Sequence, residues 1–210
     1  MTGTSEGAGH FRSSLTIGGM ALTPQFIDAL QYAAQIHADQ LRKGTTIPYI
    51  SHLLGVCSIV LEYGGSEVEA IGALLHDAAE DQGGDAQLAM IRTRFGDAVA
   101  EIVSGCTDTV VLPKPAWRKR KEDYIAHLPT ASSSVLVVSL ADKLHNSRAI
   151  LSDFRQVGEE LWARFQGGRE GTLWYYRALC DAFHSLRSGA LADELERVVS
   201  ELEQEVNSNS

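Results

Sequence analysis

The sequence predicts an all-α fold, a single compact helical bundle. Apolar residues recur at intervals of three and four along most of the chain, and Ser, Thr and Gly stand where helices would begin and end. Alternating, strand-like patterns are scarce. With 210 residues, 44% of them apolar and 21% charged, the chain is long enough to bury one substantial core.

The first two predicted helices lie on either side of a short loop. A threonine cap followed by Pro24 at the first helical position starts a helix that we predict over Thr23–Lys43, ending at Gly44. Ser51 is predicted to cap the second helix, which continues to Tyr63 and stops at two glycines.

The third predicted helix changes character along its length. It opens after Ser66, where Glu69 completes a capping box, and its apolar first half leads to a polar end before Gly83. The polar end contains His76, Asp77, Glu80 and Asp81. Since residues three and four apart share a helix face, we expect these side chains to line one side of two turns. Such a cluster at the edge of a core requires a cation, unless it is a hydrated helix end with a chance His–Asp pair.

The remaining helices follow the same periodicity. Their predicted ranges are 86–95, 97–107, 117–128, 135–151, 173–186 and 190–206. Val135–Val138 alone has the composition of a strand, but the apolar pattern continues through Leu144 and Ile150, which favours a buried helix.

Composition limits the classes of partner and compartment. A net charge of −9 and a pI near 5.2 disfavour a nucleic-acid-coating protein, although a small anionic substrate depends on local charge. No segment approaches the roughly 20 apolar residues of a membrane span, and residues 1–20 lack the apolar region of a secretory signal. The three cysteines, odd in number and without CxxC spacing, indicate a reducing cytoplasm. We therefore predict a cytoplasmic protein with no nucleic-acid or membrane partner, leaving homo-oligomer formation open.

Two residues outside the third helix extend the ionisable cluster. His52 stands at the start of the second helix, and Asp142 lies within the apolar stretch VVSLADKLHN, where a carboxylate needs a partner. Together with His76 and Asp77 they form a borderline-to-hard ligand set that suits Mn²⁺ or Fe²⁺ in octahedral geometry. Four such ligands leave about two positions for water and substrate.

Three segments around these residues carry a family resemblance. They are RKGTTIPYISH (residues 42–52), ALLHDAAED (73–81) and SLADKLHNSR (139–148). Their H…HD…D pattern resembles the HD phosphohydrolase superfamily. The surrounding residues resemble the RelA/SpoT-type hydrolase domain, specifically the stand-alone small alarmone hydrolases, from about Phe26 to Phe183. On this basis we predict a flexible leader at residues 1–20, an HD domain at 21–206 and a disordered tail at 207–210.

The resemblance implies a fold, a metal and a reaction. Small alarmone hydrolases are all-helical, bind one Mn²⁺ and remove the 3′-pyrophosphate from (p)ppGpp, giving GDP or GTP. The metal ligands implied for this chain are His52, His76, Asp77 and Asp142. The implied catalytic residues are Glu80 and Asp81, which follow the HD pair. The implied substrate contacts are Arg42, Lys43 and Asn146.

Four further side chains are candidates for the substrate site. Lys143 and Arg148 are predicted substrate contacts because they add positive charge within the third motif. Tyr175 and Arg177, in the run Trp174–Arg177, are predicted to offer a ring for a purine and a guanidinium for phosphate. The basic run Trp117–Lys121 is either a phosphate clamp or a solvated helix face. His37 and His145 are predicted to be structural. Arg42 and Lys43 have an alternative role as partners of the first helix's C-terminal dipole.

The motifs leave several functions open. Hydrolysis of (p)ppApp, or of the 2′-phosphate of NADPH, would present a ribose-linked phosphate to the same metal. A catalytically inactive, nucleotide-sensing HD domain is another class, disfavoured because the HD and ED pairs are both intact. Service as an antitoxin to an alarmone synthetase is a further possibility that sequence alone does not address.

Overall fold

The structure, a computed structural model, describes residues 22–108, 113 and 115–208. Within these residues the protein is helical apart from one isolated bridge between Leu41 and Pro48, which confirms the predicted all-α class. The helices are α1 (Pro24–Ile36), α2 (Ile50–Glu62), α3 (Glu67–Leu75), α4 (Ala78–Gln82), α5 (Gly84–Phe95), α6 (Asp97–Cys106), α7 (Trp117–His127), α8 (Ser133–Val157), α9 (Gly168–Leu186) and α10 (Ala190–Ser208). Two short 3₁₀ helices, Leu128–Thr130 and Gly158–Arg164, flank α8. The predicted leader lies outside the described residues.

Helix α8 is the central element of the core. It begins after Ser132, whose side chain accepts a hydrogen bond from the Val135 amide, and it packs against α2, α3, α6, α9 and α10. Leu140 and Leu144 on this helix are fully buried. The strand-like segment at its start is helical, as the longer apolar pattern predicted. Because α8 is held on most sides, a polar side chain that it carries into the interior has a fixed position.

The first helix is shorter than predicted. The N-cap prediction is confirmed, since Thr23 accepts a hydrogen bond from the backbone of Gln25, but α1 ends at Ile36 and not at Lys43. Beyond it, the Tyr49 amide donates to the Gln40 carbonyl at 2.8 Å and the Arg42 amide donates to the Ile47 carbonyl at 2.8 Å. These pairs fold residues 40–49 into a hairpin-like loop, so cross-loop hydrogen bonds replace the helix that the apolar pattern predicted.

The third helix is interrupted at the ionisable cluster. The capping box of Ser66 and Glu69 is present as predicted, yet α3 ends at Leu75. His76 and Asp77 form a turn, and the five residues of α4 follow it until Gly83, whose φ of 140° is available to glycine. The prediction of one continuous helix carrying all four ionisable groups on one face is therefore wrong. The turn instead separates the His76–Asp77 pair from Glu80 and Asp81, which belong to α4.

Other predicted boundaries differ by smaller amounts. Helix α2 begins at Ile50 with Tyr49 as its N-cap, so Ser51 is not the capping residue. Helix α10 continues to Ser208, two residues into the predicted tail, because Leu202 and Val206 keep its apolar face buried. In the described part of the chain, no helix combines the length and apolarity that crossing a membrane requires.

Candidate metal centre and cavity

Three buried side chains from three separate elements meet in the interior. His52 comes from α2, His76 from the end of α3, and Asp142 from the middle of α8. Each offers one ligand atom, and these atoms lie within 4.8 Å of one another. All three residues are at most 7% exposed. The helix packing therefore brings together two imidazoles and a carboxylate that are far apart in the sequence.

Asp77 adjoins this group as the fourth predicted ligand. Its Oδ2 lies 3.0 Å from Nε2 of His76 and 3.5 Å from Nε2 of His52. The Tyr49 hydroxyl donates a hydrogen bond of 2.5 Å to the same oxygen. His76 and Asp77 occupy the turn between α3 and α4. The four predicted ligand residues thus stand together, as the sequence motifs indicated.

The hydrogen bonding of His76 fits a cation at this position. Its Nδ1 lies 2.8 Å from the Ala73 carbonyl, which only accepts, so Nδ1 carries the hydrogen. The Nε2 atom is buried and makes no hydrogen bond, although it lies 3.0 Å from Asp77 and 3.6 Å from the Asp142 carboxylate. In the neutral ring, the Nε2 lone pair therefore faces negative oxygens. This arrangement requires a proton or a metal ion, and a divalent ion matches the imidazole–carboxylate donor set.

The pKa shifts in the cluster also indicate that a positive charge is stabilised at this position. Burial opposes the charged form of His76, but the carboxylates of Asp77 and Asp142 outweigh it and raise the pKa of His76 well above its usual range. Burial likewise opposes ionisation of Asp77, yet the imidazoles of His76 and His52 hold its pKa well below the usual range. Both carboxylates are therefore ionised at neutral pH and attract a cation.

His52 is held from behind by a third imidazole. Its Nδ1 lies 2.9 Å from Nδ1 of His145, while its Nε2 faces Asp142 at 3.2 Å. Burial, and then the neighbouring His52, lower the pKa of His145 to about 4, so His145 is neutral and its Nδ1 can accept the hydrogen from His52. This bond leaves Nε2 of His52 free as a ligand atom. The structure therefore gives His145, predicted to be structural, a place directly behind a ligand.

Asp142 is oriented by two neighbours on its own helix. The Lys143 ammonium bonds to Oδ2 at 2.5 Å, and the Asn146 amide donates to Oδ1 at 2.6 Å. Burial opposes the ionised carboxylate, but the Lys143 charge and the imidazoles of His52 and His76 hold the pKa of Asp142 well below its usual range. Lys143 and Asn146, predicted as substrate contacts, thus also fix the direction of a ligand.

A cavity of about 580 Å³ lies beside these ligands. Its lining combines acidic residues near the candidate ion site with a larger number of basic and aromatic side chains. The charged and aromatic lining residues are Arg42, Lys43, Tyr49, Asp77, Glu80, Asp108, Trp117, Arg120, Lys121, Tyr124, Asp142, Lys143, Asp153, Arg164, Phe165, Tyr175 and Tyr176. Six of these are Lys or Arg and five are Asp or Glu, in a chain whose net charge is −9. The cavity is thus locally more basic than the protein as a whole, which suits an anionic ligand.

Glu80 and Asp81 have different surroundings. Glu80 lines the cavity, and its Oε2 accepts a hydrogen bond of 3.3 Å from the Asp108 amide. Asp81 is not among the lining residues; its Oδ2 accepts a bond of 2.7 Å from the Gln40 amide. Partial desolvation, and then the negative charge of Asp77, raise the pKa of Asp81. Of the two predicted catalytic carboxylates, Glu80 is therefore the one that lies at the cavity.

The basic pair before the first motif is partly tied to the ligands. Arg42 donates to the Asn146 side-chain oxygen at 2.8 Å, and its guanidinium lies 5.9 Å from the centroid of the Tyr49 ring. Lys43 is exposed and also lines the cavity. Because α1 ends at Ile36, neither residue is a dipole partner of that helix. Both basic residues face the cavity, as the phosphate-binding prediction requires.

Two predicted substrate contacts lie elsewhere. Arg148 pairs with Glu194 at 2.9 Å, and Arg177 pairs with Glu196 and Glu203 at 2.5 and 2.6 Å. All these glutamates belong to α10, and neither arginine lines the cavity. We therefore reassign Arg148 and Arg177 to the packing of α10 against α8 and α9. Their ion pairs with α10, and not their positions along the sequence, support this reassignment.

The basic run on α7 divides into two halves. Arg118 lies 3.2 Å from the Trp174 ring centroid and pairs with Glu122, while Lys119 pairs with Asp123. These two residues form a solvated face. Arg120 and Lys121 turn inward and line the cavity together with Tyr175, which was predicted as a substrate contact. One half of the run is thus a solvated face, and for the other half the phosphate-clamp interpretation stays a prediction.

Comparison with known proteins identifies the family. The HD domain family matches residues 29–173. The chain belongs to the HD domain family. Guanosine-3′,5′-bis(diphosphate) 3′-pyrophosphohydrolase MESH1 of Danio rerio is 37% identical over 146 residues, which cover 67% of this chain and 75% of that protein. The MESH1 of Xenopus tropicalis is 37% identical over 140 residues, covering 65% and 73%.

A solved structure agrees with this family assignment. The structure described as "A metazoan ortholog of SpoT hydrolyzes ppGpp and plays a role in starvation responses" superposes on this HD domain with a TM-score of 0.73. The two chains are 25% identical, and the match covers 89% of this chain and 99% of the other. The predicted HD fold and the resemblance to stand-alone small alarmone hydrolases are confirmed.

Sequence patterns missed several residues that support the site of this HD domain. Tyr49 bonds to a candidate ligand, and Gln40 holds Asp81 while accepting a bond of 2.7 Å from Gln82. Asp108 links Glu80 to the basic residues of α7. A polar residue at the edge of a predicted helix or loop has no distinctive spacing, so its partner across the fold is visible only in three dimensions.

Gly55 offers a test of the support behind His52. A Cβ at this position would meet Nε2 and Cδ2 of His145 at 2.3 Å. Gly55→Ala in mid-helix ordinarily stabilises by up to about 1 kcal/mol; here we expect lower thermal stability and about 10-fold weaker metal binding, as for loss of a partner behind a ligand. The double variant Gly55→Ala/His145→Ala should recover stability but not metal affinity. Calorimetry with Mn²⁺ measures both, and a stabilised Gly55→Ala with normal affinity would contradict this role.

Proposed function

We propose that the protein hydrolyses the 3′-pyrophosphate of (p)ppGpp-type alarmones with Mn²⁺, giving GDP or GTP and pyrophosphate. The main supporting observation is the buried meeting of His52, His76 and Asp142 beside a basic cavity. The names of the MESH1 relatives and of the solved structure support the choice of substrate.

The candidate ligands would hold a divalent ion. His52, His76, Asp77 and Asp142 present two imidazoles and two carboxylates, a set that suits Mn²⁺ and also Fe²⁺. When bound, the ion supplies Lewis acidity toward a phosphate oxygen and toward water. His145 holds His52 in position, and Lys143 and Asn146 hold Asp142.

Glu80 is the proposed proton acceptor in the reaction. It lines the cavity, and the Asp108 amide donates a hydrogen bond to its Oε2, which fixes the direction of the carboxylate. In hydrolysis, a water oxygen bonds to phosphorus, the bond between phosphorus and the ribose 3′ oxygen breaks, and that oxygen takes up a proton. Glu80 would accept the proton of the attacking water, and Asp81, whose pKa is raised, would assist its transfer.

The substrate carries several negative charges, which the basic lining would offset. Arg42 and Asn146 form a connected pair at the cavity, and Lys43 extends the basic surface. A guanidinium offers a phosphate two parallel hydrogen bonds, so Arg42 is the stronger candidate for a directed contact. Lys143 contributes charge through its position beside Asp142.

A substrate panel tests the proposal. The purified protein is incubated with Mn²⁺ and, separately, ppGpp, ppApp or NADPH, and the released pyrophosphate and orthophosphate are resolved. We expect pyrophosphate and GDP from ppGpp at the highest kcat/KM. Preferred release from ppApp would move the specificity to adenine. Orthophosphate release from NADPH alone, or no turnover with any substrate, would contradict the proposal, the last result favouring a nucleotide sensor.

Arg42→Ala tests the phosphate contact. We expect KM for ppGpp to rise by about 10-fold or more with metal content unchanged, because a charge-assisted contact made in the ground state is lost. Arg94→Ala is the matched control, since Arg94 pairs with Asp28 on another surface. Equal KM values for wild type and Arg42→Ala would limit Arg42 to holding Asn146.

A further inference from the structure

A second basic cluster lies on the α7 side of the cavity. Arg120 Nη1 and Lys121 Nζ both bond to Oδ2 of Asp108, at 2.5 and 2.8 Å. The three side chains are only 11%, 19% and 9% exposed, and all three residues line the cavity. Two cations are thus held in a largely buried position by one carboxylate.

The cluster carries more positive than negative charge. Both cations use the same oxygen of Asp108, and Oδ1 of that carboxylate is buried without a hydrogen-bond partner. Burial, and then the nearby Lys143 ammonium, lower the pKa of Lys121. Buried cations close to one another are costly unless an anion joins them. An anionic group in the cavity would relieve this repulsion.

Tyr175 adds an unused hydrogen-bonding group beside Lys121. Its side chain is 6% exposed, its hydroxyl is buried with no hydrogen-bond partner, and it lines the cavity. Lys121 Nζ lies 5.0 Å from the centroid of the Tyr175 ring. A buried hydroxyl without a partner costs free energy that a ligand oxygen would recover. The hydroxyl and the ammonium together therefore point to an oxyanion.

This cluster is directly connected to the proposed proton acceptor. The backbone amide of Asp108 donates a hydrogen bond of 3.3 Å to Glu80, while the Asp108 carboxylate pairs with Arg120 and Lys121. Asp108 therefore connects the two cations to Glu80. A pyrophosphate group that is attacked beside Glu80 must place its negative charge near that carboxylate. Cations next to Glu80 would offset the repulsion.

We infer that Arg120, Lys121 and the Tyr175 hydroxyl form a phosphate subsite for the distal phosphate of the pyrophosphate group that is removed. The inference rests on the proposed function for the identity of that group. Arg42 and Asn146 then serve the substrate's other phosphates. Asp108 is a positioning residue that holds the two cations toward the cavity.

Binding of inorganic pyrophosphate to protein prepared without divalent metal tests the subsite directly. Calorimetry compares wild type with Lys121→Met, which keeps the length of the side chain, and with Tyr175→Phe, which removes only the hydroxyl. We expect at least about 10-fold weaker binding for Lys121→Met and a few-fold loss for Tyr175→Phe. Lys119→Met is the control, since Lys119 pairs with Asp123 on the exposed face of α7 and should keep wild-type affinity.

Kinetics with two substrates tests whether Lys121 acts on the distal phosphate or only through its overall positive charge. The same nucleoside is offered with a 3′-diphosphate or a 3′-monophosphate, and Lys121→Met should lose about 10-fold more kcat/KM on the diphosphate. Equal losses on both, or unchanged pyrophosphate affinity in Lys121→Met, would overturn the subsite. If wild type hydrolyses neither nucleotide while pyrophosphate binding still depends on Lys121, the subsite stands and the proposed function fails.

Discussion

His76→Ala and Asp77→Ala are each expected to abolish stoichiometric binding of a divalent ion. His76 belongs to the three-residue cluster, and Asp77 Oδ2 lies 3.0 Å from its Nε2, so both are predicted ligands. Removing either would leave an incomplete set beside the buried carboxylate of Asp142. Mn²⁺ at about 100 times its Kd should stabilise the wild type by about 2.7 kcal/mol, which corresponds to a rise in Tm of about 5–10 °C. The variants should show no such rise. Metal analysis after gel filtration and thermal unfolding with and without Mn²⁺ measure both effects.

The metal-induced shift is more informative than the Tm itself, because deleting a buried imidazole also lowers stability by leaving a cavity. His184→Ala serves as the control, since His184 is partly exposed and lies 3.9 Å from Asp193 at the surface. This variant should bind metal and respond to Mn²⁺ as the wild type does. One equivalent of tightly bound metal in both His76→Ala and Asp77→Ala would show that these residues are not ligands.

Glu80→Gln should reduce kcat by about 10²-fold or more while leaving metal binding nearly unchanged. The amide keeps the size of the side chain and can still accept the bond from the Asp108 amide, but it cannot take a proton at neutral pH. KM should change little, because the loss falls on the transition state and not on substrate binding. Steady-state kinetics on ppGpp at saturating Mn²⁺ measures the separation.

Asp81→Asn is the companion variant in the same assay. The new amide oxygen can still accept the hydrogen bond from Gln40, so the variant removes the acidic group and keeps this contact. A loss of kcat of similar size would place both carboxylates in proton transfer. Glu101→Gln, on the exposed face of α6, is the control and should keep full activity. Full activity in both Glu80→Gln and Asp81→Asn would make the pair structural.

Much of this site was predictable because the chemistry needs particular residue types within short motifs. His52, the His76–Asp77 pair and Asp142 were identified from such motifs, and the structure brings them together. The all-α class followed from apolar periodicity, which a central helix such as α8 must display to be buried on most sides.

The predictions of helix bounds and substrate contacts were wrong where tertiary contacts override the local sequence pattern. The loop at residues 40–49 replaces a predicted helical extension because its backbone groups pair with each other across the loop. The break after Leu75 has no proline or glycine to announce it, and it coincides with the His76–Asp77 pair that contacts His52 and Asp142. Arg148 ends the third motif and Arg177 follows three aromatic residues, yet α10 packs over both arginines with three glutamates in position. None of these contacts has a signature in local sequence.

Phosphorus NMR of a single reaction tests most directly whether this cluster and cavity hydrolyse a 3′-pyrophosphate. Wild-type protein with Mn²⁺ and ppGpp should produce pyrophosphate and GDP in equal amounts, with no orthophosphate formed at early times. Omission of the metal, or the variant Asp142→Asn, should stop the reaction. Unchanged ppGpp after prolonged incubation, orthophosphate as the first product, or equal turnover by Asp142→Asn would contradict the account.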